Sequence, residues 1–216
     1  MLAETRLPNL SRQGASVICC RPHFTSGPAA ESELAVILKG EPAVLDAAKY
    51  SAFETLRNGR QIEIRALRPD DRREYVTAVG RTGSQSLYRR FFGAKRHFTD
   101  EEIRFFLNVD FINHVALVAV TEDDGHQVIV GGGRYVISAP GIGELAFMVV
   151  DGYQGQGIGA ALMRHLTLIA REAGLRELTA EVLPNNTAML KVFEKSGLRQ
   201  SIKREAASTH VMLQLT

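Results

Sequence analysis

Gly155, Gly157 and Gly159 fall at alternate positions in the run Val149 to Ala161, VVDGYQGQGIGAA, where few side chains would keep an anion away from the main chain. The backbone N–H groups of such a turn approach a phosphate closely, and the first turn of a following helix adds unpaired donors and a favourable dipole. Each N–H to a charged oxygen contributes about 1.5–3 kcal/mol, so roughly three or four of them hold a diphosphate without a lysine. Nucleoside triphosphate hydrolysis is excluded, because Ile158 and Gly159 stand where a P-loop needs its Lys and hydroxyl. Gly155 to Ala160 also fits the dinucleotide pattern G-x-G-x-x-G/A, with Glu177 and Glu181 as acidic residues farther on. Too little chain follows Glu181 for the remaining units of a doubly wound domain.

The turn is positioned by its flanks. Leu145 to Val150 is an apolar run of strand length, while Leu162, Leu166, Ile169 and Ala173 recur at helical spacing opposite Arg164, Arg171 and Glu172. Gly174 supplies the helix stop. Farther upstream, Gln61 to Leu67 alternates as a strand, and Pro69-Asp70-Asp71 opens a helix through Tyr75 to Val79. Ser84 to Phe92 and Thr99 to Leu107 read as two further helices, the second opened by the capping pair Thr99 and Glu102. His114 to Thr121 and Val128 to Ser138 read as a hairpin across Glu122-Asp123-Asp124-Gly125, with Gly143 to Val150 as the next strand. Gly131-Gly132-Gly133 marks either a bulge or close approach of another element, or a flexible strand start.

With these flanks, Gln154-x-x-Gly157-x-Gly159 resembles the Q/R-x-x-G-x-G/A signature of the GNAT N-acetyltransferase superfamily. Gly143 to Val150 resembles that family's fourth strand, and Asn186 followed by Ala188 to Leu198 resembles its N-x-x-A…Y-x-K-x-G-F ending. The likeness spans roughly Gln61 to Thr216. It implies an α+β fold with a central mixed, mostly antiparallel sheet, splayed at strands 4 and 5, and helices on both faces. It also implies transfer of an acetyl group from acetyl-CoA to a primary amine. By the same resemblance Phe147, Met148, Val149, Gln154, Gly155, Gln156, Gly157, Ile158, Gly159, Ala160, Asn186 and Phe193 are expected to contact acetyl-CoA, Phe193 being equally readable as a core residue. Asn186 is equally readable as the cap of the helix after Pro184.

A lysine-like ammonium has a pKa of about 10.4, so presenting it neutral at pH 7 costs about 4.6 kcal/mol unless the site helps. Relatives supply a glutamate base at one of two places, matched here by Glu144 and Glu181; either is also readable as a solvated or ion-paired strand residue. Phe193 occupies the position of the family's proton-donating tyrosine and cannot donate, so no catalytic acid is assigned. Tyr50 to Arg60, Ile64 to Asp71 and Ser86 to Phe92 look like the acetyltransferase portion of bacterial protein lysine acetyltransferases. A protein lysine is therefore the expected acceptor. The alternatives are a small-molecule amine acetyltransferase and a non-catalytic acetyl-CoA-binding regulatory module.

Composition sets outer bounds. The chain has 216 residues, and its formal charge of +2 demands no nucleic acid partner. Cys19 and Cys20, adjacent and alone, argue against a disulfide framework, and the cytoplasm is the default compartment. No apolar run approaches membrane-span length. His23, His97, His114, His126, His165 and His210 are scattered without ligand spacing, so no metal is expected. Arg89, Arg90, Lys95 and Arg96 read as a solvated helix face, or as cations for an acidic partner or the 3′-phosphate of CoA. Residues 1–60 are punctuated by Gly, Pro and Ser and read as an N-terminal extension, partly disordered or small and helical, ahead of an acetyltransferase domain at 61–216. A helix is expected from near Ala43, with Leu45, Tyr50, Phe53 and Leu56 on one face, then a turn at Asn58-Gly59. A monomer or a homodimer is expected.

Overall fold

The computed structural model describes residues 45–95 and 98–215. Cys19, Cys20, His23, Arg96 and His97 lie outside them. Eight strands form one sheet in the order β1-β2-β3-β4-β5-β6-β8-β7. They are β1 (Ser51–Thr55), β2 (Gln61–Ala66), β3 (His114–Asp123), β4 (His126–Ala139), β5 (Ile142–Val149), β6 (Glu177–Val182), β7 (Arg199–Arg204) and β8 (Thr209–Gln214). All neighbours are antiparallel except β5 and β6. The five α-helices among the described residues are α1 (Arg72–Gly80), α2 (Ser84–Phe91), α3 (Asp100–Leu107), α4 (Ile158–Glu172) and α5 (Thr187–Glu194).

Helices cover both faces. Arg134 on β4 reaches α3 through a hydrogen bond to Phe106 O (3.2 Å) and lies over the Phe106 ring. On the opposite face, a Cβ at Gly133 would meet Leu166 Cδ1 of α4 at 2.9 Å, and one at Gly131 would meet Ile158 Cγ2 at 3.0 Å. The glycine run thus admits α4 close against the sheet, and the register slips beside it, between Ala119 and Val120. α4 buries Ile158, Ala161, Leu162, Met163, Leu166, Ile169 and Ala170 as its amphipathic pattern requires. Gly174, at φ +74°, closes it.

Local signals account for other boundaries. Thr99 Oγ1 accepts from Glu102 N (3.2 Å) and Glu102 Oε2 from Thr99 N (2.9 Å), completing the cap of α3. Asp124 and Gly125, both with positive φ, turn β3 into β4. At the other rim of the sheet, every position of β7 is exposed, including Arg199, Lys203 and Arg204.

The helix expected from Ala43 is not formed in the described residues. Ala47–Lys49 is a single 3-10 turn and Ser51–Thr55 is an edge strand paired with Gln61–Arg65. Two facts explain the difference. The tight turn at Asn58-Gly59, with Gly59 at φ +81°, folds the segment back on β2; and Phe53 is 76% exposed, so the supposed apolar face is never buried as one. The sheet therefore begins upstream of residue 61. No helix among the described residues is long and apolar enough to cross a membrane.

Candidate functional site

The parallel pairing of β5 with β6 stops early. Ile142, Gly143 and Glu144 pair with Glu177, Leu178 and Thr179, and no pairing follows. From Leu145 onward the β6-facing edge of β5 has no strand partner, which opens a gap in the middle of the sheet. A cavity of about 660 Å³ occupies that gap and runs to the start of α4. The two candidate bases and the residues expected to contact acetyl-CoA all line it: Glu144 and Glu181, Phe147 to Val149, Gln154 to Ala160, Asn186 and Phe193.

At one end lies the glycine turn. Gly155 and Gly157 adopt φ +75° and +102°, a region that other residues enter only with strain. Among the described residues, no protein oxygen accepts a hydrogen bond from the amides of Gly155 through Ala160; the first bond of the new helix is Ala161 N to Gly157 O (3.0 Å). A row of unused N–H donors at a helix mouth is suited to hold an anion. Gln154 stands outside that row as a brace. Its Nε2 donates to Val149 O, Asp151 Oδ1 and Ser86 Oγ, each at 3.0 Å, tying the turn to β5 and α2.

Glu144, half-buried on β5, lines the same cavity. Burial pushes its carboxyl above the usual range, the Glu181 carboxylate adds to the rise, and Arg90 and His210 oppose it. Glu181 on β6 pairs in register with His210, whose Nε2 lies 3.6 Å from Glu181 Oε1 and 3.7 Å from Glu205 Oε2. Arg89 and Arg90 of α2 line the cavity too, whereas Lys95 pairs with Glu102.

Phe193 is buried on α5 and meets the Phe147 ring edge-on, with centroids 6.3 Å apart. It has no proton to offer. Asn186 caps α5 by accepting from Met189 N through Oδ1 (3.3 Å). Its Nδ2 makes no hydrogen bond to the described residues, so capping and ligand contact use different atoms of one side chain. The described residues hold no cluster of His, Cys, Asp and Glu fit for a metal.

One part of the site escaped sequence reasoning. The hairpin of β1 and β2 docks on the glycine turn: Asn58 Nδ2 donates to Gln156 Oε1 (2.9 Å), Arg60 stacks over Tyr153 at 5.1 Å, and buried Leu56 lies 3.9 Å from where a Gly157 Cβ would be. Glu54 accepts from His165 (2.7 Å to Oε1) and from Arg164 of α4, and Tyr50 holds the other nitrogen of His165. Local spacing carries no signal for partners this far apart in the chain.

Comparison with known proteins agrees with this geometry. Residues 84–198 match the acetyltransferase (GNAT) family. An acetyltransferase of Pseudomonas aeruginosa is 32% identical over 156 residues, which cover 68% of this chain and 84% of that one. Acetyltransferase Pat of Mycolicibacterium smegmatis is 30% identical over 144 residues, 66% of this chain but only 42% of that longer protein. The crystal structure of the GNAT domain of S. lividans PAT superposes with a TM-score of 0.69 at 31% identity, covering 76% of this chain and 96% of that domain. The splayed mixed sheet, the glycine turn opening α4 and these matches together make the chain a member of the GNAT acetyltransferase family.

Proposed function

We propose that the protein transfers the acetyl group of acetyl-CoA to a primary amine, with a protein lysine as the acceptor. The observation that carries this reading is the row of unbonded amides from Gly155 to Ala160 opening into the same cavity as Glu144. The fit to the donor is a matter of chemistry: a diphosphate needs several N–H donors without bulk, and Gly155 and Gly157 supply a turn that a side chain would strain. The open edge of β5 offers backbone groups to the amides of a pantetheine arm, as an added strand would.

In this reading Glu144 takes a proton from the acceptor ammonium. The freed amine nitrogen bonds to the thioester carbonyl carbon, the tetrahedral oxygen is held by backbone N–H groups near Met148, and the C–S bond breaks. The nitrogen keeps the acetyl group and loses its second proton to solvent, the CoA thiolate takes a proton from water, and Glu144 releases its proton to solvent. A thiolate with a pKa near 8.5 leaves without a dedicated acid, which suits Phe193 at this position. Burial that raises Glu144 brings its basicity nearer the working pH, where proton transfer is more effective. Glu181 is the second carboxylate in reach and the alternative base.

The resemblance to Pat proteins supports lysine as acceptor. A small amine is the other reading, favoured by the two carboxylates that share the cavity. The test is incubation with acetyl-CoA and a panel of proteins and amines, followed by mass spectrometry and measurement of free CoA. Acetylated lysine on a protein supports the reading; a product confined to small amines replaces it with the second.

A further inference from the structure

We infer that the β1–β2 hairpin is a wall of the donor site, and that Arg57 at its tip, with Arg164 on α4, binds the phosphomonoester on the ribose of the cosubstrate. The inference rests on the reading of acetyl-CoA as donor. The cosubstrate carries two separate phosphate groups, and the glycine turn has amides for only one. The diphosphate takes the helix mouth. The phosphomonoester carries roughly −1.5 to −2 charge at neutral pH and needs cations.

The wall beside the glycine turn is the hairpin. Asn58 bonds to Gln156, Leu56 lies under Gly157, and Glu54 to Arg57 line the cavity next to that turn. Arg164, on the first turns of α4, lines it as well. Its guanidinium is steered by Glu54, which is itself fixed by a chain of hydrogen bonds through His165 to Tyr50. One arm of Arg164 is thereby committed and the fork is set in orientation, a low-entropy arrangement for a bidentate contact to phosphate. The hairpin and the first turns of α4 bring Arg57 and Arg164 to the cavity, against the single carboxylate of Glu54 on the same hairpin. The balance is cationic even with the Glu54 ion pair counted. Arg57 is exposed and lines the cavity, so its side chain is available to a ligand and does not support the core.

Calorimetry with acetyl-CoA and with its 3′-dephospho analogue tests the assignment on the full chain. The wild-type protein should bind acetyl-CoA about tenfold more tightly than the analogue, as a charge-assisted contact to phosphate implies. Arg57→Ala and Arg164→Gln should each shrink that preference to about twofold or threefold with affinity for the analogue unchanged, and Arg57→Lys should keep part of it. Retention of the full preference in both variants, or equal loss of both ligands, overturns the inference. A wild-type protein that binds neither compound removes the donor reading instead, so the two failures are distinguishable.

Discussion

Glu181 stands two positions beyond Thr179, the register partner of Glu144, so the two carboxylates look into one cavity from strands that have just begun to part. Their repulsion helps hold the Glu144 carboxyl up. Replacing Glu181 by Gln removes that contribution, and Glu144 then ionises at lower pH. The acid limb of kcat/KM should shift to lower pH in Glu181→Gln, while an unmoved limb or a movement upward would contradict Glu144 as the titrating base.

In the proposed mechanism turnover depends on Glu144 as the base. Glu144→Gln should lower kcat at least about tenfold, the lower end of what a positioned base supplies being about a hundredfold, with acetyl-CoA affinity intact. Steady-state kinetics alongside calorimetry separates the two effects, and unchanged turnover would transfer the role to Glu181.

Gly157→Val should abolish acetyl-CoA binding. At φ +102° a β-branched residue is strained by about 1–3 kcal/mol, and relief of that strain turns the amides away from the mouth of α4. Retained affinity by calorimetry would refute the cradle.

Arg65 and Asp71 form a buried bidentate pair, both bonds at 2.7 Å, which ties β2 to the start of α1. Burial alone would push the Asp71 carboxyl up, yet Arg65 and the Arg68 N–H hold it below the usual range. Asp71→Ala leaves a buried guanidinium without its counter-ion and should destabilise the fold by about 3–5 kcal/mol in chemical denaturation. A paired Arg65→Met, Asp71→Leu variant should lose much less.

His114 is 8% exposed, and burial with the Arg134 guanidinium beside it lowers its pKa to about 4. Its folded value lies below the unfolded one, near 6.5. The stability it contributes is fully present above pH 6.5 and is lost as pH falls through about 4, up to about 3 kcal/mol. Thermal melts from pH 7 to 4 should therefore fall less steeply for His114→Asn than for the wild type.

Much of this was readable from the chain, for reasons that differ by element. The apolar run into Gly155-x-Gly157-x-Gly159 and then into Leu162, Leu166 and Ile169 signals strand, turn and helix by local chemistry alone, and α4 follows it. Thr99 and Glu102 bring their cap partners within a few residues, so α3 was legible too. The segment from Leu45 to Leu56 was not. Its apolar residues suit a helix, and what decides otherwise is pairing with β2 and docking of the hairpin on Gln156 and His165, partners 98 and 115 positions away in the chain. Glu144 and Glu181 could be nominated from resemblance, but their shared cavity arises from where the β5–β6 pairing ends, which no local pattern records.

The basic rim of the sheet has a consequence for how copies of the chain meet. Two molecules approaching side by side along β7 would bring Arg199 and Arg204 of each near the same residues of the other. Like-charge repulsion then opposes the backbone pairing that an open strand otherwise invites, and the protein is guarded from growing into ribbons at high concentration.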